Sequence, residues 1–377
     1  MKKITSAFMA MVFCIAANAQ ISSPPSGANQ KASVSQYMGL CHVTINYNSP
    51  DVTAPNGQSR EGKIWGQLVP YGLTNLNFGE SSDENPSPWR AGANENTTIE
   101  FSHDMEVEGK AIKAGVYGLH MIVEENEWTI IFSNNSSSWG SYFYYPEEDA
   151  LRVKVKPESG EYTEWLTFDF ENRQLDQCTA YLKWEKMKVG FKISVPNISE
   201  LYAEKIESEL KGSVGFSWQS WNQAANFFVN NNLDLEKALY FSDQAVNGSF
   251  VGQKNFSTLS TKAAVLEAMG KSKEAMDLLK EALEHPSANV FQIHGLGRSY
   301  IAKGKNKEAM DIFEWNAKRF PKTWPINVGL ARGYSANGKY KKALKYAEMA
   351  FKEAPDKLNK DSMAAAIEKL KKGEDIN

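Results

Sequence analysis

From Gln36 to Val195 apolar and polar residues alternate with a period of two, and the alternation breaks at clusters of Gly, Pro, Asn and Asp. Leu151, Val153 and Val155 alternate with Arg152, Lys154 and Lys156; Leu166, Phe168 and Phe170 alternate with Thr167 and Asp169; Val189, Phe191, Ile193 and Val195 alternate with Lys192 and Ser194. Such strands have one wet face. Further runs at Cys41 to Tyr47, Thr97 to Ser102, Tyr117 to Val123 and Trp128 to Ser133 bring the number of strands to about eight to ten, the range of a β-sandwich. Two packed antiparallel sheets are expected. Tyr117 to Val123 is apolar on both faces and reads as a central strand.

After Pro196 the period becomes helical. Ile198 to Lys211 reads as a connecting helix, and the remainder repeats: Gly270, Gly304 and Gly338 recur every 34 residues, as do Ala275, Ala309 and Ala343. That period denotes tetratricopeptide-type helical hairpins, with Gly at the turn and a small Ala where the second helix packs on the first. Leu296, Gly297 and Tyr300, then Leu330 and Tyr334, carry the first-helix signature, and Pro321 and Pro355 close the second helices. A degenerate unit, Trp218 to Val246, starts the array, and a charged helix from Leu358 to Lys372 can cover its end. Gly295-Leu296-Gly297 is no phosphate loop, since no strand precedes it and the final glycine is missing.

At the N-terminus, Lys2 and Lys3 precede an apolar stretch from Ile4 to Ala17 that ends in Ala17-Asn18-Ala19. This is the pattern of a secretory signal peptide, so a periplasmic or secreted protein is expected. Cys14 follows Phe13 where a lipid-anchor motif would carry a small residue. The expected organisation is a signal peptide at 1–19, a β-sandwich at 20–197, a linker helix at 198–215, an all-α repeat array with its capping helix at 216–372, and a tail at 373–377. No other segment reaches the roughly 18 apolar residues of a membrane span. A net charge of −3 over 377 residues offers no excess of cations for nucleic acid. Cys41 and Cys178 both sit on apolar strand faces; two buried free thiols are expected, although an oxidising compartment would permit a bridge.

Six ordered blocks stand out in the strand-rich part. They are Arg60-Glu61-Gly62-Lys63-Ile64-Trp65-Gly66, Leu68-Val69-Pro70-Tyr71-Gly72, Trp89-Arg90-Ala91-Gly92-Ala93-Asn94-Glu95, Ala114-Gly115-Val116-Tyr117-Gly118-Leu119-His120, Trp139-Gly140-Ser141-Tyr142 and Glu148-Asp149-Ala150-Leu151-Arg152. Together these resemble a bacterial family, domain-of-unknown-function family 2911, over about Gln30 to Val195. The resemblance implies an exported bacterial protein, in some members joined to a helical-repeat tail, and supplies no activity.

Candidate chemistry concentrates in the polar loop from Arg60 to Glu95. Arg60, Lys63, Arg90, Asn94 and Glu95 would suit an anionic or polyhydroxyl ligand, the guanidinium forks taking carboxylate or phosphate and Asn taking hydroxyls. The same residues would equally serve as a salt-bridge and turn network, with the chain bending at Gly92 and Glu95 pairing with Arg60 or Lys63. Glu95 and His120 are the candidate acid and base if the domain is an enzyme, although a hydrogen-bonded core histidine also explains His120. Trp139, Tyr142, Phe143, Tyr144 and Tyr145 could form a glycan platform, but half must point inward if the segment is extended, and Glu147 to Asp149 reads as a solvated turn.

In the repeats, helical phase sets Phe291, His294 and Arg298 on one first-helix face, with Arg332 one repeat after Arg298. First helices line the groove of such arrays, so stacked arginines could read an acidic peptide; a groove that packs on the sandwich or stays solvated is the alternative. No metal-ligand spacing, catalytic serine elbow or cofactor motif is present. These features favour an exported envelope binding or scaffold protein with a protein or acidic-peptide partner and a small polar or glycan ligand. The alternative is an enzyme acting on such a ligand at the 60–95 loop.

Overall fold

Alternating apolar residues pair into ladders wherever one face is buried, and the computed structural model, which describes residues 29–321 and 323–377, contains two such sheets. The signal segment expected at 1–19 lies outside the described residues. Strands β1 (Gln30–Met38), β2 (Cys41–Ser49), β3 (Thr98–Phe101), β6 (Gly115–Ile122), β7 (Trp128–Ser133) and β8 (Asp149–Val155) form one sheet in the order β1-β2-β3-β6-β7-β8. Strands β4 (Met105–Val107), β5 (Lys110–Ile112), β9 (Pro157–Glu171) and β10 (Gln177–Ser194) form the other, in the order β5-β4-β10-β9. All ladder pairings are antiparallel.

The sheets pack face to face through aromatic contacts such as Tyr47 with Phe168 and Phe132 with Phe191. As its apolar faces suggested, β6 is an inner strand, buried on both sides from Tyr117 to Met121. Cys41 and Cys178 are buried free thiols.

Cys178 to Trp184 and Val189 to Ile193 bury residues of opposite parity. They are one 18-residue strand. Its register shifts on either side of Glu185, which adopts a left-handed φ of 54°, and this bulge converts even inward positions to odd ones. The Glu185 carboxylate accepts the Gly62 N–H at 2.8 Å, so the bulge also anchors the loop between β2 and β3.

From Ser199 onward the chain forms a second compact unit. Helix α1 (Ile198–Glu209) precedes the hairpins α2 (Trp218–Asn230) with α3 (Leu235–Asn247), α4 (Phe256–Ala268) with α5 (Ser272–Glu284), α6 (Val290–Ala302) with α7 (Asn306–Arg319), and α8 (Trp324–Ala336) with α9 (Tyr340–Glu353). Helix α10 (Lys357–Lys371) covers the last hairpin through Met363, Ala366 and Leu370. The 34-residue glycines Gly270, Gly304 and Gly338 sit in the intra-hairpin turns at φ of 78°, 73° and 70°, where a side chain would be strained. Ala275, Ala309 and Ala343 are buried at the helix crossings.

Phe313 of α7 shows why first helices carry glycine. A Cβ at Gly297, Gly329 or Gly333 would lie 2.5, 2.6 or 2.9 Å from its ring, so three glycines on α6 and α8 leave room for one phenyl group. Phe313→Ala should therefore destabilise the array by about 3–5 kcal/mol, read as an earlier transition of the helical signal in thermal unfolding; a melting curve unchanged in that signal would contradict the packing argument.

Candidate functional site

The irregular segment between β2 and β3 is tied to strand edges by main-chain bonds. Trp89 exchanges both hydrogen bonds with Met121 of β6 at 2.9 and 2.8 Å, Gly72 donates to Val123, and Val52 donates to Glu164 of β9. Bridging to Met121 turns the Trp89 side chain inward, where its ring meets Trp65, Trp128 and Trp184 at centroid distances of 5.8, 6.4 and 6.3 Å. Arg90, one residue on, faces the opposite way.

Both residues border a cavity of about 450 Å³. The Arg90 guanidinium lies 4.9 Å from the Tyr142 ring centre, stacks against Gly140 and donates from Nη1 to the Asn94 carbonyl at 2.8 Å. Gly140 is required there, because its φ is 58° and a Cβ would sit 2.5 Å from Arg90 Cζ. Arg60 also borders the cavity but is neutralised: its Nη2 donates to the Asp51 carbonyl at 2.7 Å and lies 3.3 Å from the Asp51 carboxylate. The Asn94 amide oxygen accepts from Asn29 at 3.5 Å.

Three expectations for this loop are corrected. The bend falls at Ala91 and Asn94, whose φ values are 51° and 57°; Gly92 is needed for close approach instead, since a Cβ there would meet Thr97 Oγ1 at 2.8 Å and the Asn48 carbonyl at 3.0 Å. Glu95 pairs with neither Arg60 nor Lys63. Its carboxylate meets Lys31 at 2.7 Å and accepts from Asn48 at 2.9 Å, bonds that hold it below its ordinary pKa, the Lys31 contact first. Lys63 is exposed and is not among the residues bordering the cavity.

His120 is buried on the outer face of the six-stranded sheet, beneath the segment that follows β7, rather than between the sheets. Its Nδ1 and Ser141 Oγ are hydrogen-bonded at 2.9 Å, and its ring lies 5.4 Å from that of Tyr144. Burial, and then the Arg90 charge, depress its pKa to about 3, so it is neutral under physiological conditions. Glu95 and His120 thus have separate partners, and the residue joined to His120 is Ser141, which borders the cavity. Ser141 was missed as a site residue; its only signal was its place in the Trp139-Gly140-Ser141-Tyr142 block.

The aromatic segment is a turn, not a strand, and of Tyr142 to Tyr145 only Tyr144 is buried. Tyr144 donates to Asp149, which also pairs with Arg152, so Asp149 belongs to a half-buried network rather than a solvated turn. Among the described residues no cluster of His, Cys, Asp and Glu could hold a metal ion.

Residues 29–193 match the family model described as "Protein of unknown function (DUF2911)". They are a DUF2911 domain. All six sequence blocks of the resemblance meet around the cavity or the histidine behind it, with Tyr144 linking the last block to His120. No curated protein matches the chain.

Solved structures similar to the chain include YrrB, a tetratricopeptide protein with an unusual peptide-binding site (17% identity, 45% of this chain and 84% of that one, TM-score 0.28). They include the C-terminal part of a repeat-containing protein from Cytophaga hutchinsonii (16%, 45% and 67%, TM-score 0.32) and MamA from Desulfovibrio magneticus (12%, 43% and 95%, TM-score 0.27). Assignment of the array rests on its own 34-residue hairpins.

In that array His294 lies beside two cations, Arg298 and Arg332. Burial first, then Arg332 and Arg298, lower the His294 pKa to about 4, and its buried Nδ1 has no hydrogen-bond partner. Arg298 is exposed, as is Phe291 one turn before His294. Arg332 is half-buried and reaches the Ile376 carbonyl at 3.4 Å and Asn377 Oδ1 at 3.5 Å. Ser335 donates to Asp375 at 2.6 Å and accepts the Ile376 N–H, and Asn377 Nδ2 donates to the Arg332 carbonyl at 3.1 Å. The α8 part of the expected groove is therefore covered by the chain's own residues 375–377, which sequence periodicity gave no means of placing.

Both histidines have folded pKa values below their ordinary 6.5. As pH falls below 6.5 the unfolded chain binds protons that the folded chain does not, so stability falls with pH. Each group contributes a slope of at most about 1.4 kcal/mol per pH unit. Denaturant titrations between pH 6.5 and 5 should show this decline, shallower in His120→Asn. A second expectation separates Glu95 from the cavity: Glu95→Gln should change stability by only about 0–1 kcal/mol, the range of an exposed pair, and calorimetry would expose a larger loss.

Proposed function

We propose that this chain is an exported binding or scaffold protein of the cell envelope, whose repeat array takes an acidic segment of a protein partner while the DUF2911 domain carries a separate small-ligand site. The observation that carries the array's role is the seating of Asp375 to Asn377 on α8. A segment with one side-chain carboxylate, Asp375, is held there by Ser335, the Arg332 side chain and the Arg332 main chain.

Arg298 and Arg332 stand close enough that Arg298 adds to burial in lowering the Arg332 pKa, and Asp375 opposes both. Two cations that raise each other's cost are relieved by an anion placed between them. The first-helix surface of a stacked array offers an extended partner this contact. Export is supported by the charged start, apolar stretch and small-residue site of residues 2–19.

The test uses a fluorescent peptide with the sequence of Gly373 to Asn377, offered to the chain ending at Lys372. Saturable anisotropy is expected, and reversing both Arg298 and Arg332 to Glu should weaken it by about tenfold or more while circular dichroism stays unchanged. Equal binding by the double reversal would refute the acidic-peptide reading.

A further inference from the structure

We propose that the cavity of the DUF2911 domain binds a small organic monocarboxylate with a flat apolar body, its carboxylate on Arg90 and its body against Trp89, Leu68 and Leu76. This rests on the reading of the domain as a binding module and names the chemical class of its ligand.

Size and lining set the first limit. About 450 Å³ lies within the usual range of small-molecule sites. Leu68, Leu76, Pro88, Trp89 and Trp184 dominate the wall. A polyhydroxyl ligand would lose water at many hydroxyls and find few partners on such a surface. An apolar ring system loses little, and Trp89, half-buried at the wall, presents it with aromatic surface.

Charge sets the second limit. The charged residues bordering the cavity are Asp51, Arg60 and Arg90. Asp51 and Arg60 neutralise each other, and Arg90 has no carboxylate partner among the described residues. One net positive charge in a mostly apolar wall calls for one negative charge. A phosphate dianion would bring a second charge that nothing there offsets.

Geometry sets the third. Stacking on Tyr142, contact with Gly140 and the bond to the Asn94 carbonyl hold the guanidinium in place, so little freedom is lost when it forms a two-pronged contact with a carboxylate.

The experiment is calorimetric titration of the full chain with 2-naphthoate, 2-naphthamide and 2-naphthyl phosphate. The acid is expected to bind at one site about tenfold or more tightly than the isosteric amide, a comparison that needs no variant. Arg90→Gln should remove that difference, Arg90→Lys should keep part of it, and Lys63→Gln should leave it intact. Equal affinity for acid and amide, tighter binding of the phosphate ester, absence of binding by any of the three, or an acid preference that survives Arg90→Gln would each overturn the proposal. The peptide assay on Arg298 and Arg332 reads the other unit, so the two readings fail separately.

Discussion

Strand β3 covers only the first half of β6: Thr98 to Phe101 pair with Gly118 to Gly115, leaving the edge from Leu119 to Val123 to be satisfied by something else. Unpaired main-chain groups on a buried central strand would cost several hydrogen bonds. The irregular segment between β2 and β3 supplies the partners, with Thr97 bonding Leu119, Trp89 bonding Met121 and Gly72 bonding Val123. Because the edge dictates where those residues lie, it also dictates which of their side chains turn inward. The four-tryptophan cluster, the outward Arg90 and the cavity beside both follow from that constraint.

The array solves a different problem. A helical hairpin cannot bury its apolar face alone, so each repeat depends on its neighbours, and the tightness of stacking is set by the smallest residues at the crossings. Phe313 fits among Gly297, Gly329 and Gly333, and its ring in turn supports His294, 5.6 Å away. The cluster thus stands on a rigid base. Its arginines and half-buried histidine are held in an arrangement that disfavours protonation of the histidine.

Each unit therefore pairs an apolar support with a cation that its own surroundings leave partly uncompensated. In the sandwich the support is indole and the cation is Arg90, which borders a half-open cavity of about 450 Å³. In the array the support is a phenyl ring and the cations are Arg298 and Arg332, of which Arg332 is met by the chain's own Ile376 and Asn377. The shared logic is electrostatic, and the two proposed ligands differ because a half-open apolar cavity selects by desolvation, whereas an open helix face selects by charge and main-chain contacts.

Periodicity alone was enough to read two antiparallel sheets, the buried course of β6, the helical hairpins and their turn glycines, because burial of one face imposes a period of two on strands and of 3.6 on helices. It also brought Arg60, Arg90, Asn94 and His120 into view, since charged and aromatic residues gathered in one long loop or on one apolar strand are unusual locally. Tertiary structure decided the rest. Parity could not reveal that a bulge at Glu185 joins two strands into one, and nothing local sends Glu95 to Lys31 on β1, joins His120 to Ser141, or lays residues 375–377 on α8. Those contacts link residues 10 or more positions apart in sequence, and their partners are chosen by sheet register and helix stacking, which no short window of sequence encodes.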